Sequence, residues 1–230
     1  MTLTAILSKI VNMKTILILL IFSSTLFAQE ISEIKPSEKR KIKTEFTKEY
    51  IENYNDEFGG NPWSKPFQGC SWYCGGRIDS IKSSTKCNYL NNEKLNAYNI
   101  HDSDYGTTWI NNDDDKLKNI EYVFNEKSAK FTEIVIVNGN VKNDSLWNEY
   151  SRAKKIKMYI NGKEFKTLLL EDTKDEQIFK FQPIGAKTKP KSKNKNKQWN
   201  IRFEIIEYYP GNKQNVAISE IYFEGDGHDI

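Results

Sequence analysis

The chain has 230 residues, of which 38% are hydrophobic, 28% charged and 13% aromatic. That is enough apolar material for a packed core and too much for a fully disordered chain. Lys and Arg total 34 against 31 Asp and Glu, a formal charge of +3, an excess too small to mark a general nucleic-acid binder. Two histidines, His101 and His228, and three cysteines, Cys70, Cys74 and Cys87, exclude zinc fingers, HExxH metalloproteases and iron–sulfur motifs. They also leave little from which to build Ser/His or Cys/His catalytic machinery.

Residues 1–28 read as a secretory signal peptide: Lys14, a short apolar run over 15–27, then Ala28 ahead of Gln29. The run is too short to cross a bilayer comfortably as a helix, so no transmembrane span is expected after cleavage. Cleavage takes Lys9 and Lys14 with it and leaves +1. The mature protein is expected to be secreted, into an oxidising compartment that allows a disulfide. Residues 29–60 form a lead segment. Within it Ile42, Phe46, Tyr50 and Tyr54 recur every four residues among Lys and Glu, which predicts an amphipathic helix over 37–57 with Ser37 as its cap. Gly59-Gly60-Asn61-Pro62 ends it.

From there the period falls from four to two. Trp199, Ile201, Phe203 and Ile205 alternate with Asn200, Arg202 and Glu204; Ile156, Met158 and Ile160 alternate with Lys157 and Tyr159; Ile221 and Phe223 alternate with Glu220 and Tyr222. Each pattern predicts a half-buried antiparallel strand. Phe131–Val137 is denser and suits a central strand, and Asn161-Gly162 marks a hairpin between 156–160 and 164–170. With 77–83, 119–124 and 177–182 the count is about eight antiparallel strands, an all-β jelly roll or β-sandwich over residues 61–225, followed by a short tail at 226–230. Six lysines at every second position from Lys187 to Lys197 read as a loop between two strands. That loop is either a solvated hairpin tip or a contact for an anionic polymer or membrane surface.

Two segments carry a family resemblance. One is Cys70-Ser-Trp72-Tyr73-Cys74-Gly-Gly, followed by Asp102-Ser-Asp104-Tyr-Gly-Thr107-Thr-Trp109. The other is Asn138-Gly-Asn-Val-Lys142, then Trp147-Asn-Glu-Tyr150-Ser-Arg152, and later Ala217-Ile-Ser-Glu220-Ile-Tyr-Phe223. In this order they resemble the bacterial NADase-type glycan-binding domains, discoidin or coagulation-factor type C-like members of the galactose-binding-like superfamily. The resemblance implies a jelly-roll carbohydrate-binding module without catalysis and does not imply NAD cleavage. It implies a structural calcium at Asp102, Asp104, Thr107 and Glu220, where Ser103 stands at a position that is usually Gly. An Asx-turn network without metal is the alternative.

Trp109 is expected in the core. Trp72, Tyr73, Asn138, Lys142, Trp147, Tyr150 and Arg152 are the candidate glycan contacts, since sugars offer C–H faces to rings and hydroxyls to amides and guanidinium groups. Three cysteines cannot all pair. Cys70–Cys74 is the expected bridge, with Cys87 able to take either partner. A structural or protein-interaction sandwich that has lost sugar binding is the competing function.

Overall fold

The computed structural model describes residues 32–58, 61–65, 72–84, 96–112, 117–185 and 198–225. The expected signal peptide at 1–28, Cys70, Cys87, the 187–197 lysine segment and the 226–230 tail lie outside the described residues, and the expected cysteine pairing lies outside them too. In chain order the elements are β1 (Glu33–Ile34), β2 (Glu38–Arg40), α1 (Lys48–Phe58), β3 (Ile78–Ser83), β4 (Trp109–Ile110), β5 (Asn119–Phe124), β6 (Phe131–Asn138), α2 (Asp144–Glu149), β7 (Tyr150–Ile160), β8 (Lys163–Leu169), β9 (Glu176–Ile184), β10 (Trp199–Tyr209) and β11 (Lys213–Glu224). No described helix is long and apolar enough to cross a membrane.

Alternation in the sequence becomes alternation in burial. Along β10 the odd positions from Trp199 to Ile205 are buried and the even ones are partly exposed. The strands follow the order β2-β9-β6-β11-β7-β10-β5-β3, with β8 on β7 and β4 on β11. All neighbours pair antiparallel except β11 with β7 and β1 with β8. Asn161 and Gly162 take φ of 50° and 76°, the left-handed pair that a two-residue hairpin requires.

The sheet curls so that β5, β7 and β10 face β6, β9 and β11 across one core. Rings meet between the two layers: Phe223 lies 5.2 Å from Phe124 and 5.1 Å from Tyr122, both edge-on. The Tyr122 hydroxyl donates to the Ile221 carbonyl at 3.0 Å. This is the all-β jelly roll expected from the sequence.

The lead segment differs from its expectation. Residues 33–34 and 38–40 are strands, paired with β8 and β9, and the helix is shorter, beginning at Lys48. Ser37 does not cap it; its hydroxyl donates to Ile178 O at 3.0 Å, and Thr47 Oγ1 instead accepts the Tyr50 N–H. Open sheet edges supply backbone partners that outweigh the helical pattern of 37–47. The four-residue spacing still brings the rings together: Phe46 stacks on Tyr50 at 5.3 Å, and Tyr50 lies 5.8 Å from Tyr54.

β11 also departs from a half-buried strand. Glu220 and Tyr222 are 1% and 3% exposed, because the lead segment and the 61–65 and 102–107 loops cover that face.

Trp72 anchors the core from a 3-10 turn. It is fully buried, its Nε1 donates to Ala129 O at 2.8 Å, and it packs edge-on to Phe124 and Phe131. Trp72→Ala should destabilise the fold by about 3–5 kcal/mol. The check is urea denaturation, read as a lower midpoint at unchanged slope.

Candidate functional site

The 102–107 loop is built on short polar side chains that bond back to their own backbone. Asp102 Oδ1 accepts the Asp104 N–H at 3.0 Å, and Thr107 Oγ1 donates to Asp102 Oδ2 at 2.7 Å. Ser103 takes φ of 63°, the left-handed conformation glycine adopts most easily. The turn swings the Asp104 N–H onto Glu220 Oε1 at 3.0 Å. Asp102, Thr107 and Glu220 are thereby brought into one cluster. The Asp104 carboxylate is not part of it: its Oδ1 accepts the Gly106 N–H at 2.7 Å, and its Oδ2 accepts the Asn61 amide.

Glu220 is the strained member. Burial pushes its carboxyl well above the usual carboxylate range, and the neighbouring Asp102 carboxylate adds to the shift. Its Oε2 is buried without a hydrogen-bond partner. Among the described residues no three His, Cys, Asp or Glu side chains converge as a metal cage. Two carboxylates, one hydroxyl and loop carbonyls are nevertheless the hard oxygen donors calcium takes, and Glu220 Oε2 is the acceptor such an ion would satisfy.

Four expected ligand contacts are committed to the interior. Trp72 is core. Asn138 is fully buried; its amide donates to Ala153 O at 2.7 Å and accepts the N–H groups of Ala153 and Gly139. Arg152 is 8% exposed and holds Asp172 with two parallel bonds of 2.9 and 2.7 Å, while its third nitrogen donates to the Tyr150 and Pro210 carbonyls. A ligand reaches none of these polar groups without breaking the fold's own bonds. Tyr150 is 6% exposed and packs with Ile110 and Ala217 under Lys213.

Gly139 fixes the position of Trp147. At φ +69° a Cβ there would lie 2.6 Å from the Trp147 ring and 2.7 Å from Arg152 Cγ. The indole packs against that glycine, with the Arg152 guanidinium 5.2 Å from its ring centroid. Tyr73 remains 43% exposed, with its hydroxyl 3.4 Å from both His101 Nε2 and the Phe223 N–H. Burial lowers the His101 pKa.

The residue that sequence reasoning missed is Trp63. It packs beside Ile42 and Trp147 against Tyr105, Val137 and Val141, with the Lys142 ammonium 5.4 Å from its ring centroid. A cleft of about 300 Å³ opens beside it, lined by Asn61, Asp104, Gly106, Thr107 and Lys142. The available signal was the Asn61-Pro-Trp63 triplet: Asn61 Oδ1 accepts the Trp63 N–H at 3.0 Å, an Asx turn that presents the indole.

A family model described as the NAD glycohydrolase translocation F5/8 type C domain matches residues 72–224. No curated protein matches the chain. Among solved structures, the two family 32 carbohydrate-binding modules of Clostridium perfringens ZmpB align at 16% identity and a TM-score of 0.46, over 86% of this chain and 43% of that one. A ZmpB structure that also includes the M60 catalytic domain aligns over only 18% of its length. The family 32 module of C. perfringens NanJ, solved with galactose, aligns at 14% identity and a TM-score of 0.43, over 64% of this chain and 93% of that one.

The Glu220 cluster and Arg152 each generate a test. Because the folded-state pKa of Glu220 is raised, the folded chain binds that proton more tightly than the unfolded chain. In chelator, stability should therefore fall as pH rises from the ordinary 4.5 through the raised value. Glu220→Gln should flatten that fall in thermal melts. If calcium sits at the cluster it should raise the wild-type melting temperature and leave that of Glu220→Gln unmoved; no calcium shift in the wild type leaves the Asx-turn network. Arg152→Ala should cost about 1–2 kcal/mol in urea denaturation, because it removes the charge-assisted bonds to a solvent-accessible Asp172 and leaves the buried Tyr150 carbonyl without that donor.

Proposed function

Because the chain belongs to the NAD glycohydrolase translocation F5/8 type C domain family, we propose that it is an exported, non-catalytic module that binds a glycan. The observation that carries this reading is the cleft beside Trp63, where an indole, an Asn–Asp pair and a lysine line one opening. Sugar rings need that combination: C–H faces lie on the aromatic ring, and hydroxyls exchange hydrogen bonds with amide, carboxylate and ammonium. Among the described residues the cleft lining holds one carboxylate, Asp104, whereas glycoside hydrolysis takes a pair.

In this reading Asp102, Thr107 and Glu220 would hold a calcium ion, which would supply positive charge to the two carboxylates; the 102–107 loop carries Gly106 and Thr107, which line the cleft. Export through the 1–28 leader is in keeping with Cys74, which is disulfide-bonded. The family description names translocation, and glycan capture is the step that would hold such a domain at a surface.

A glycan array probed with the protein lacking residues 1–28 tests the reading. A hit should bind with a dissociation constant of about 0.1–1 mM. Trp63→Ala and Lys142→Ala should each weaken it at least several-fold, whereas Tyr150→Phe should not. An array without hits would turn the assignment to a structural or protein-interaction sandwich.

A further inference from the structure

A second pocket, of about 370 Å³, adjoins the cleft at Trp63 and is lined by the lead segment and the 62–65 loop. Pro62 and Trp63 line both this pocket and the cleft. Its ring wall comes from Phe46, Tyr50 and Trp63, with Phe46 edge-on to the indole at 5.2 Å. These three residues lie ahead of the segment matched by the family model, which starts at 72, while Tyr105 and Glu176 of the same lining lie within it.

The charge lining it is unbalanced. Among the described lining residues Arg40, Lys41, Lys43 and Lys65 face one carboxylate, Glu176. Arg40 is spent on Glu224 at 2.8 Å and Glu176 at 3.5 Å; Lys65 is spent on Glu224 at 3.4 Å and on the Tyr222 ring 3.2 Å below it. Glu176 also takes the hydroxyls of Tyr105 and Tyr222. Lys41 and Lys43 have no carboxylate partner among the described residues. The Lys43 ammonium stands 4.4 Å from the Tyr50 centroid and 5.2 Å from that of Phe46, so a positive charge is held over the rings.

We propose that this pocket takes a carboxylate-bearing sugar residue of an acidic glycan, its ring on Phe46, Tyr50 and Trp63 and its carboxylate at Lys41 and Lys43. The inference rests on the glycan-binding reading and specifies the glycan. An oligosaccharide seated in the Trp63 cleft would cross the indole and place its next residue here. The shared indole favours a continuous saccharide over a separate nucleotide, which would use the rings and lysines without entering the cleft.

The test is saturation-transfer NMR and titration of the protein lacking residues 1–28. The probes are methyl glucuronoside, methyl sialoside, methyl glucoside, sodium sulfate and AMP. One carboxylated sugar should bind at least about tenfold more tightly than methyl glucoside. The preference should vanish in Lys41→Gln/Lys43→Gln and in 0.5 M salt, because exposed charges are screened. Tyr50 is 39% exposed, so Tyr50→Ala should weaken the acidic sugar while the protein stays folded. Neutral sugar binding without an acidic preference, or a preference that survives the double variant, would overturn the inference and leave the glycan-binding reading standing. Sulfate or AMP matching the acidic sugar would overturn it too, by assigning an anion or nucleotide site. Binding of none of these sugars would overturn the inference, while hits on the glycan array would leave the glycan-binding reading standing.

Discussion

Two carboxylates buried on the outer face of the sheet are the constraint from which the rest of the structure follows. Glu176 opens β9 and Glu220 lies within β11, at 4% and 1% exposure. A charge taken out of water is costly unless polar groups meet it. Glu176 is met by the hydroxyls of Tyr105 and Tyr222 and by Arg40. Glu220 Oε1 accepts the Asp104 N–H, while its Oε2 is buried without a hydrogen-bond partner among the described residues. Every group that meets them comes from the sheet itself or from the segments laid over it, the lead at 38–44 and the 102–107 loop. A sandwich with an ordinary outer face would need no such cover and would have no Trp63 clefts.

The cover is also where the chemistry lies. The inner core, with Trp72, Phe124, Phe131 and Phe223 in mutual contact, holds the layers and presents nothing to a ligand. The covering segments present an indole, the rings of Phe46, Tyr50, Tyr54 and Tyr105, and Lys41 and Lys43, which have no carboxylate partner among the described residues, around two adjoining openings. Arg152 and Asn138 belong to the support beneath. By binding Asp172, Pro210 and the backbone of Ala153 they set the 138–142 turn, and that turn carries Lys142 to the Trp63 ring.

The strands were legible because a two-residue period reports which side of a strand faces the core. The hairpin at Asn161-Gly162 was legible because only a few residue types take positive φ. The convergence of Asp102, Thr107 and Glu220 was legible through the family resemblance, a spatial relation between residues more than 110 positions apart. Illegible were the edge pairing that makes 33–34 a strand and turns 38–40 from helix to strand, the closure of hydrogen bonds around Asn138 and Arg152, and the place of the partly buried Trp63. A side chain's residue type suits it equally to a ligand or to a neighbour, and only the neighbour's position separates the two cases.

The sequence by itself determined the all-β class, most strand positions, the hairpin and the polar loop around Asp102, because these follow from local periodicity and from side chains bonding to backbone a few residues away. Tertiary structure alone decided which amides, guanidinium groups and rings remain available. The lead segment pairs at two sheet edges, covers Glu176, and brings Phe46 and Tyr50 to Trp63. Those contacts join residues whose separation along the chain carries no periodic signal; they are chosen by which unpaired strand edges and buried charges the folded sheet leaves to be satisfied.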